Sequence, residues 1–240
     1  MLMTARAILL ALGLVSSSAM AGPPYITDDP APTDLAKWEV YTFVDGSFDH
    51  GAFGGATGFD LNYGALPGLQ LTATLPLDLT AGGGNGLRAR KGDVEVAAKF
   101  RFVNDEKSGV SIAAFPRLIL PTSGEGKAAV LLPLWAEMDK GDWSVFGGGG
   151  ITLRNGLDAR DSWQQGLAVT RALSDKATVG VELAHEGADA DGGHGVTTAG
   201  VGAVVALGGP VSLLMSAGPE FEDGTGTTSV HAYAALGFDF

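Results

Sequence analysis

The sequence predicts an all-β chain, a transmembrane antiparallel β-barrel of about twelve strands, and three observations point to it. Apolar residues alternate with polar or small ones along segment after segment, each close to the ~9–11 residues of a tilted membrane-spanning strand. The connections between these segments alternate between long and short, as the two ends of a membrane barrel do. No stretch beyond the leader reaches the ~20 apolar residues of a membrane helix, and a closed barrel is the other way to satisfy a backbone in lipid.

The chain opens on a leader. Arg6 supplies a positive charge, Ala7 to Val15 form a short apolar run, and Ala19-Met20-Ala21 is an A-x-A cleavage pattern. Residues 1–21 read as a signal peptide, with the mature chain beginning near Gly22. Residues 22–37 form an N-terminal extension whose prolines keep Gly22–Pro30 extended or turned. Two readings of it stay open. It is a periplasmic plug folded into the barrel mouth, with Asp28 and Asp29 facing solvent or a lumen cation, or it is a periplasmic tail closed by an Asx turn.

Residues 38–240 hold the barrel. Alternation places strands at about 38–47, 55–64, 69–79, 92–103, 110–120, 128–138, 143–153, 162–172, 176–186, 195–206, 210–219 and 229–240. The longer connections are Phe48–Gly54, Thr80–Lys91, Pro121–Lys127, Arg154–Asp161, Gly187–His194 and Glu220–Thr228. The shorter ones are Ala65–Gly68, Asn104–Gly109, Asp139–Asp142, Leu173–Asp175 and Leu207–Gly209. An even number of strands puts both ends of the mature chain on the periplasmic side.

The two faces are clearest in the fourth segment. Val94, Val96, Ala98, Phe100 and Phe102 share one side, and Asp93, Glu95, Lys99 and Arg101 share the other. A barrel in lipid turns the first set outward, whereas a soluble β-sandwich with the same alternation turns it inward. The last strand favours lipid. Phe240, Phe238, Leu236, Ala234, Ala232 and Val230 share a face, and the chain ends on an aromatic. That ending resembles the signal by which outer-membrane barrels are recognised for insertion. It makes Phe240, Phe238 and Leu236 a candidate assembly signal, with the barrel-assembly machinery and outer-membrane lipid as partners. Trp38, Trp135, Trp143 and Trp163 fall near strand ends, where aromatic girdles sit. Pro76, Pro116 and Pro133 run against the pattern, because each removes a ladder hydrogen bond from a proposed strand. They imply a bulged or partly unpaired wall, or a hairpin flared above the membrane.

Composition excludes several classes. The chain has no cysteine, so it has no disulfide, no thiol catalyst, no Cys-based metal site and no lipoprotein anchor. Its formal charge of −12 repels nucleic acid. The 37 glycines are scattered through alternating segments, which fits barrel walls and turns better than a linker.

The inward charges are Glu39, Asp45, Asp60, Asp78, Asp93, Glu95, Lys99, Arg101, Arg117, Glu137 and Glu182. They either set the selectivity of a pore, where their acidic majority favours cations, or pair with one another and fill the interior. No catalytic, cofactor or metal site is expected. Ser229 and His231 share a face as a nucleophile and base would, but no third orienting group accompanies them. Asp189-Ala-Asp-Gly-Gly193 starts like a calcium loop, yet Gly200 stands where the ligand Glu belongs. Gly82-Gly-Gly-Asn-Gly86 lacks the helix of a nucleotide fingerprint, and Ser123-Gly-Glu-Gly-Lys127 lacks the leading Gly of a phosphate loop.

Several motifs carry a likeness. These are Gly22-Pro-Pro-Tyr-Ile-Thr-Asp-Asp-Pro30, Gly92-Asp-Val-Glu-Val-Ala-Ala-Lys-Phe100, Phe115-Pro-Arg-Leu-Ile-Leu-Pro-Thr122, Leu131-Leu-Pro-Leu-Trp-Ala-Glu137 and Asp142-Trp-Ser-Val-Phe-Gly-Gly-Gly-Gly150. Together they resemble the family called MetA-pathway of phenol degradation, over most of the mature chain. The resemblance implies an outer-membrane barrel that passes small, hydrophobic or aromatic molecules, and makes Pro116 and Pro133 family features. It carries no catalytic residues. The expectation is therefore a passive transporter in the outer membrane, with a non-conducting surface barrel as the alternative and a soluble periplasmic sandwich as the third.

Overall fold

The computed structural model describes residues 24–82, 84–122, 126–156 and 159–240, so the leader expected at 1–21 lies outside the described residues. The strands are β1 (Trp38–Asp49), β2 (Ala52–Leu66), β3 (Leu69–Gly82), β4 (Asn85–Lys91), β5 (Val94–Asp105), β6 (Val110–Ala114) and β7 (Arg117–Leu120). They continue with β8 (Ala129–Lys140), β9 (Trp143–Arg154), β10 (Ser162–Ser174), β11 (Ala177–Glu186), β12 (Val196–Gly208), β13 (Val211–Glu222) and β14 (Thr228–Asp239).

Every strand pairs antiparallel with its neighbours, and β1 pairs with β14 from Glu39–Asp239 to Phe48–Val230. Chain β4 runs into β5 across Gly92-Asp93, because β3 pairs with both. In the same way β6 runs into β7 across Phe115-Pro116, because β5 and β8 each pair with both. Fourteen segments thus make twelve staves of one closed barrel and not a sandwich, with β4 extending one stave beyond the ring on β3 alone among the described residues. Closure satisfies the backbone ladder all round, which a sheet in lipid requires.

The alternating side chains divide between two surroundings. Val44, Phe59, Leu71, Val96, Phe100, Leu134, Val181, Leu183, Val201 and Leu236 are exposed on the outer surface. Lys99, Glu182, Gln70, Asn62, Thr152 and Ser216 are buried inside. A soluble domain places these sets the other way round. Contiguous apolar surface of this extent around a whole barrel is a lipid-facing belt. Trp38 and Trp143 stand exposed at the rim that carries the short turns, and Trp163 stands exposed near the opposite rim. Trp135 is a correction: it belongs to no girdle, being 1% exposed and turned inward among the buried residues of β8.

The three prolines sit at the two interruptions. Pro76 lies opposite the β4–β5 break, where the Gly92 amide donates to its carbonyl at 3.1 Å. Pro133 lies opposite the β6–β7 break, where the Phe115 amide donates to its carbonyl at 3.1 Å. Pro116 occupies that break, and its carbonyl accepts from the Ala98 amide at 3.2 Å. Each missing N–H therefore falls where the neighbouring strand is already irregular, so no regular ladder is lost. Pro133 stays in register with Gly150 of β9. The wall is bulged by one residue at the β4–β5 break and keeps its register across the β6–β7 break, and Pro116 and Pro133 belong to no flared hairpin.

Two expected loops turn out to be strand. The connection expected over Phe48–Gly54 is a tight hairpin in which Asp49 pairs with Ala52. His50 (φ 44°) and Gly51 (φ 84°) both take the left-handed region that a type I′ turn requires. The connection expected over Thr80–Lys91 is largely the β3–β4 ladder, with Thr80 paired to Arg88. The remaining long connections stand at the same rim, opposite the short turns.

Candidate functional site

Residues 24–34 lie inside the barrel and cross it. On one side the Ser216 hydroxyl of β13 donates to the Pro24 carbonyl. Glu182 of β11 accepts from the Ile26 amide (3.2 Å), the Thr27 amide (3.1 Å) and the Thr27 hydroxyl (3.1 Å). On the other side Asp28 meets Lys99 of β5 at 2.9 Å and Arg117 of β7 at 3.0 Å. The Thr33 amide then donates to Gln70 of β3 at 2.8 Å, and Leu35 bridges to Gly64 of β2 at the exit to β1.

Local sequence explains the path. Asp29 accepts from the Ala31 amide at 2.8 Å, an Asx turn that reverses the chain just before Pro32. Glycines make the room. A Cβ on Gly180 would lie 2.6 Å from the Tyr25 hydroxyl, one on Gly202 would lie 2.5 Å from the Tyr25 ring, and one on Gly166 would overlap Thr27. Gly180 and Gly202 are direct partners across β11 and β12, so the recess spans adjoining strands. Burial, with the nearby Glu182 charge adding to it, pushes the Tyr25 phenol up to about 12, so the ring enters this recess neutral.

Beside the crossing segment is a cavity of about 280 Å³. Glu39, Asp45, Asp60, Glu95, Lys99 and Arg117, all expected on the inward face, line it together with Asp28. So do residues that the charge pattern did not single out: Tyr25, Tyr41, Phe43, Phe115, Leu214 and Tyr233. Their parity was available, since Tyr41 and Phe43 alternate on the same face as Glu39 and Asp45. Phe43 and Tyr233 stack with ring centres 6.4 Å apart. Phe115 lies under two cations, with Lys99 Nζ at 4.9 Å and the Arg117 guanidinium carbon at 4.3 Å from its ring centre. Arg117 also reaches Glu95 at 3.4 Å.

The other expected lumen charges lie away from this cavity. Glu182 is buried against the crossing segment, and Glu137 accepts from the Ser144 hydroxyl at 2.6 Å. Asp78 stands beside Gly92 near the β4–β5 break, and Arg101 is half-buried toward the β5–β6 turn. Asp93 is exposed in the β4–β5 break, where the register shifts by one residue, and accepts from the Thr122 amide at 3.3 Å. Ser229 donates to Glu220 at 2.6 Å while His231 bonds to Asp45 at 2.7 Å, so the two have different partners. Phe240 is exposed at the end of β14, and its amide and carbonyl exchange hydrogen bonds with Trp38.

No family model and no curated protein sequence matches the chain. Solved structures do. An outer-membrane channel from Pseudomonas putida superposes with a TM-score of 0.70 at 16% identity, covering 88% of this chain and 97% of that one. The KdgM porin gives 0.59 at 12% identity, covering 83% and 99%. The translocator domain of the autotransporter NalP from Neisseria meningitidis gives 0.50 at 17% identity, covering 85% and 88%. These neighbours are channels, porins and a translocator rather than enzymes. The chain has the fold of the outer-membrane channels and porins.

Proposed function

We propose that this chain is an outer-membrane channel for the passive passage of a small molecule, and that residues 22–37 act as its plug. One observation carries the reading: a closed barrel with an apolar outer belt encloses a charged, aromatic-lined cavity crossed by its own N-terminal segment. The inward charges are read as lumen-lining groups that set selectivity. The finer assignment, to the MetA-pathway kind of transporter with hydrophobic or aromatic cargo, is supported by the motifs from Gly22–Pro30 to Asp142–Gly150. No catalytic role is assigned to any residue. Liposome swelling or planar-bilayer recording with the purified protein tests the channel, and a barrel that passes no small solute overturns it.

A second reading has its own support, because the crossing segment occupies the interior. In that reading the barrel does not conduct and its outer loops, such as Gly187–His194, do the work. A barrel still impermeable after removal of residues 24–34 favours it.

The assembly signal is part of the same proposal. Removal of Phe240 is expected to lower the amount of barrel in the membrane several-fold while leaving the heat-shifted gel migration of the inserted fraction unchanged. Normal membrane levels of the truncated chain would make the aromatic end incidental.

A further inference from the structure

We propose that Lys99, Arg117 and Phe115 form a binding site for the carboxylate of a small monoanion with an apolar body. In this proposal Asp28 is the chain's own occupant of the site, and such a ligand displaces it. That this displacement would loosen the plug rests on the channel reading; the site itself rests on the geometry.

Asp28 is held as a ligand is held. One carboxylate oxygen takes Lys99 Nζ at 2.9 Å and the other takes Arg117 Nη2 at 3.0 Å. Lys99 is sealed from solvent, with 3% of its side chain exposed, so this is a desolvated, charge-assisted contact and not a surface pair. Phe115 fixes both cations by lying across them. The Arg117 fork is incompletely used: its buried Nε–H has no acceptor among the described residues. A free carboxylate, without a backbone tether, can approach the guanidinium side-on and take Nε and Nη together, the bidentate geometry that a fork favours.

The cavity beside these groups supplies the rest of the ligand. Its volume is about 280 Å³, whereas ~150 Å³ of apolar cavity holds benzene. Tyr41, Phe43, Tyr233 and Leu214 line it and suit an apolar body. Glu39, Asp60 and Glu95 line it too and disfavour any second negative charge. Exchange of Asp28 for a monoanion leaves the charge of the site unchanged, whereas a dianion or a bare cation alters it. Because Asp28 is tethered, it competes at an effective concentration on the order of millimolar. A displacing ligand therefore binds the native chain weakly and binds a chain without the Asp28 carboxylate more tightly.

The test uses the full mature barrel, folded in detergent, with benzoate and benzylammonium as probes and calorimetry or equilibrium dialysis as the readout. Benzoate is expected to bind with a millimolar dissociation constant, and Asp28→Ala is expected to tighten it at least tenfold. Asp28→Asn, which keeps the side-chain shape, is expected to tighten it in the same direction. Arg117→Gln is expected to abolish binding, with heat-shifted migration checking its fold; Lys99→Gln serves if that variant does not fold. Benzoate affinity unchanged in both Asp28 variants overturns the proposal, as does preferential binding of benzylammonium. Binding in detergent requires no conduction. A barrel that binds benzoate but passes nothing sinks the channel reading alone, and a conducting barrel indifferent to benzoate sinks this inference alone.

Discussion

On one side of the barrel, β10, β11 and β12 run uninterrupted and meet Tyr25 and Thr27 with Gly166, Gly180 and Gly202. On the other, β4 to β7 are broken twice, and β5 and β7 meet Asp28 with Lys99 and Arg117. The first side leaves side chains out and accepts from the segment's amides with the Glu182 carboxylate; the second holds it with the cations of Lys99 and Arg117. Acceptor and recess thus stand on one wall and the ion pairs on the other. Lys99 and Arg117 nevertheless keep the even alternation of their strands, because the register runs unbroken past Phe115-Pro116.

The largest expected effect breaks the regular wall. Val181→Pro in β11 removes a ladder hydrogen bond between two intact neighbours and should cost on the order of several kcal/mol, since the carbonyl it leaves unpaired faces lipid-depth surroundings. Its unfolding midpoint in urea, measured in lipid, checks this. Next comes the outside. Val96→Arg on β5 and Val201→Arg on β12 should each cost about 2–4 kcal/mol near the bilayer midplane. Equal costs mean that both walls meet lipid alike and differ only inside; a free substitution at either site reverses the face assigned there. Gly180→Val should cost about 1–3 kcal/mol by overpacking the Tyr25 recess. It should also raise single-channel conductance in a planar bilayer, because the segment loses its seat; lower conductance would mean that the recess holds nothing that matters to flow. The smallest effect is Pro133→Ala, about 0.4–1 kcal/mol, mainly from added freedom in the unfolded chain. A loss as large as that of Val181→Pro would show that the breaks do not shelter their prolines.

Much of this fold was legible because strand side chains alternate strictly, and one exposed and one enclosed face leave little freedom of register. The same rule misled at two places. It put Trp135 in a girdle because β8 also turns apolar residues inward, at Leu131, Pro133 and Trp135, so hydrophobicity alone does not mark its outer face. It left Phe48–Gly54 as a loop because small residues flank His50-Gly51 and dilute the alternation. A plug was one of the two readings left open for residues 22–37, but its partners in the lumen were beyond reach. Its contacts join residues far apart in sequence, such as Thr27 with Glu182 and Asp28 with Arg117, and nothing local to either partner names the other.

The seam of the cylinder lies between its first and last strands, and Trp38 and Phe240 fasten its lower end with reciprocal bonds of 2.7 and 3.0 Å. No ring exists, then, until β14 has met β1. A sheet still parted along that line can lay residues 24–34 across its concave side and curl around them, whereas a finished ring would have to be threaded. Closing the seam and enclosing that segment then become one event.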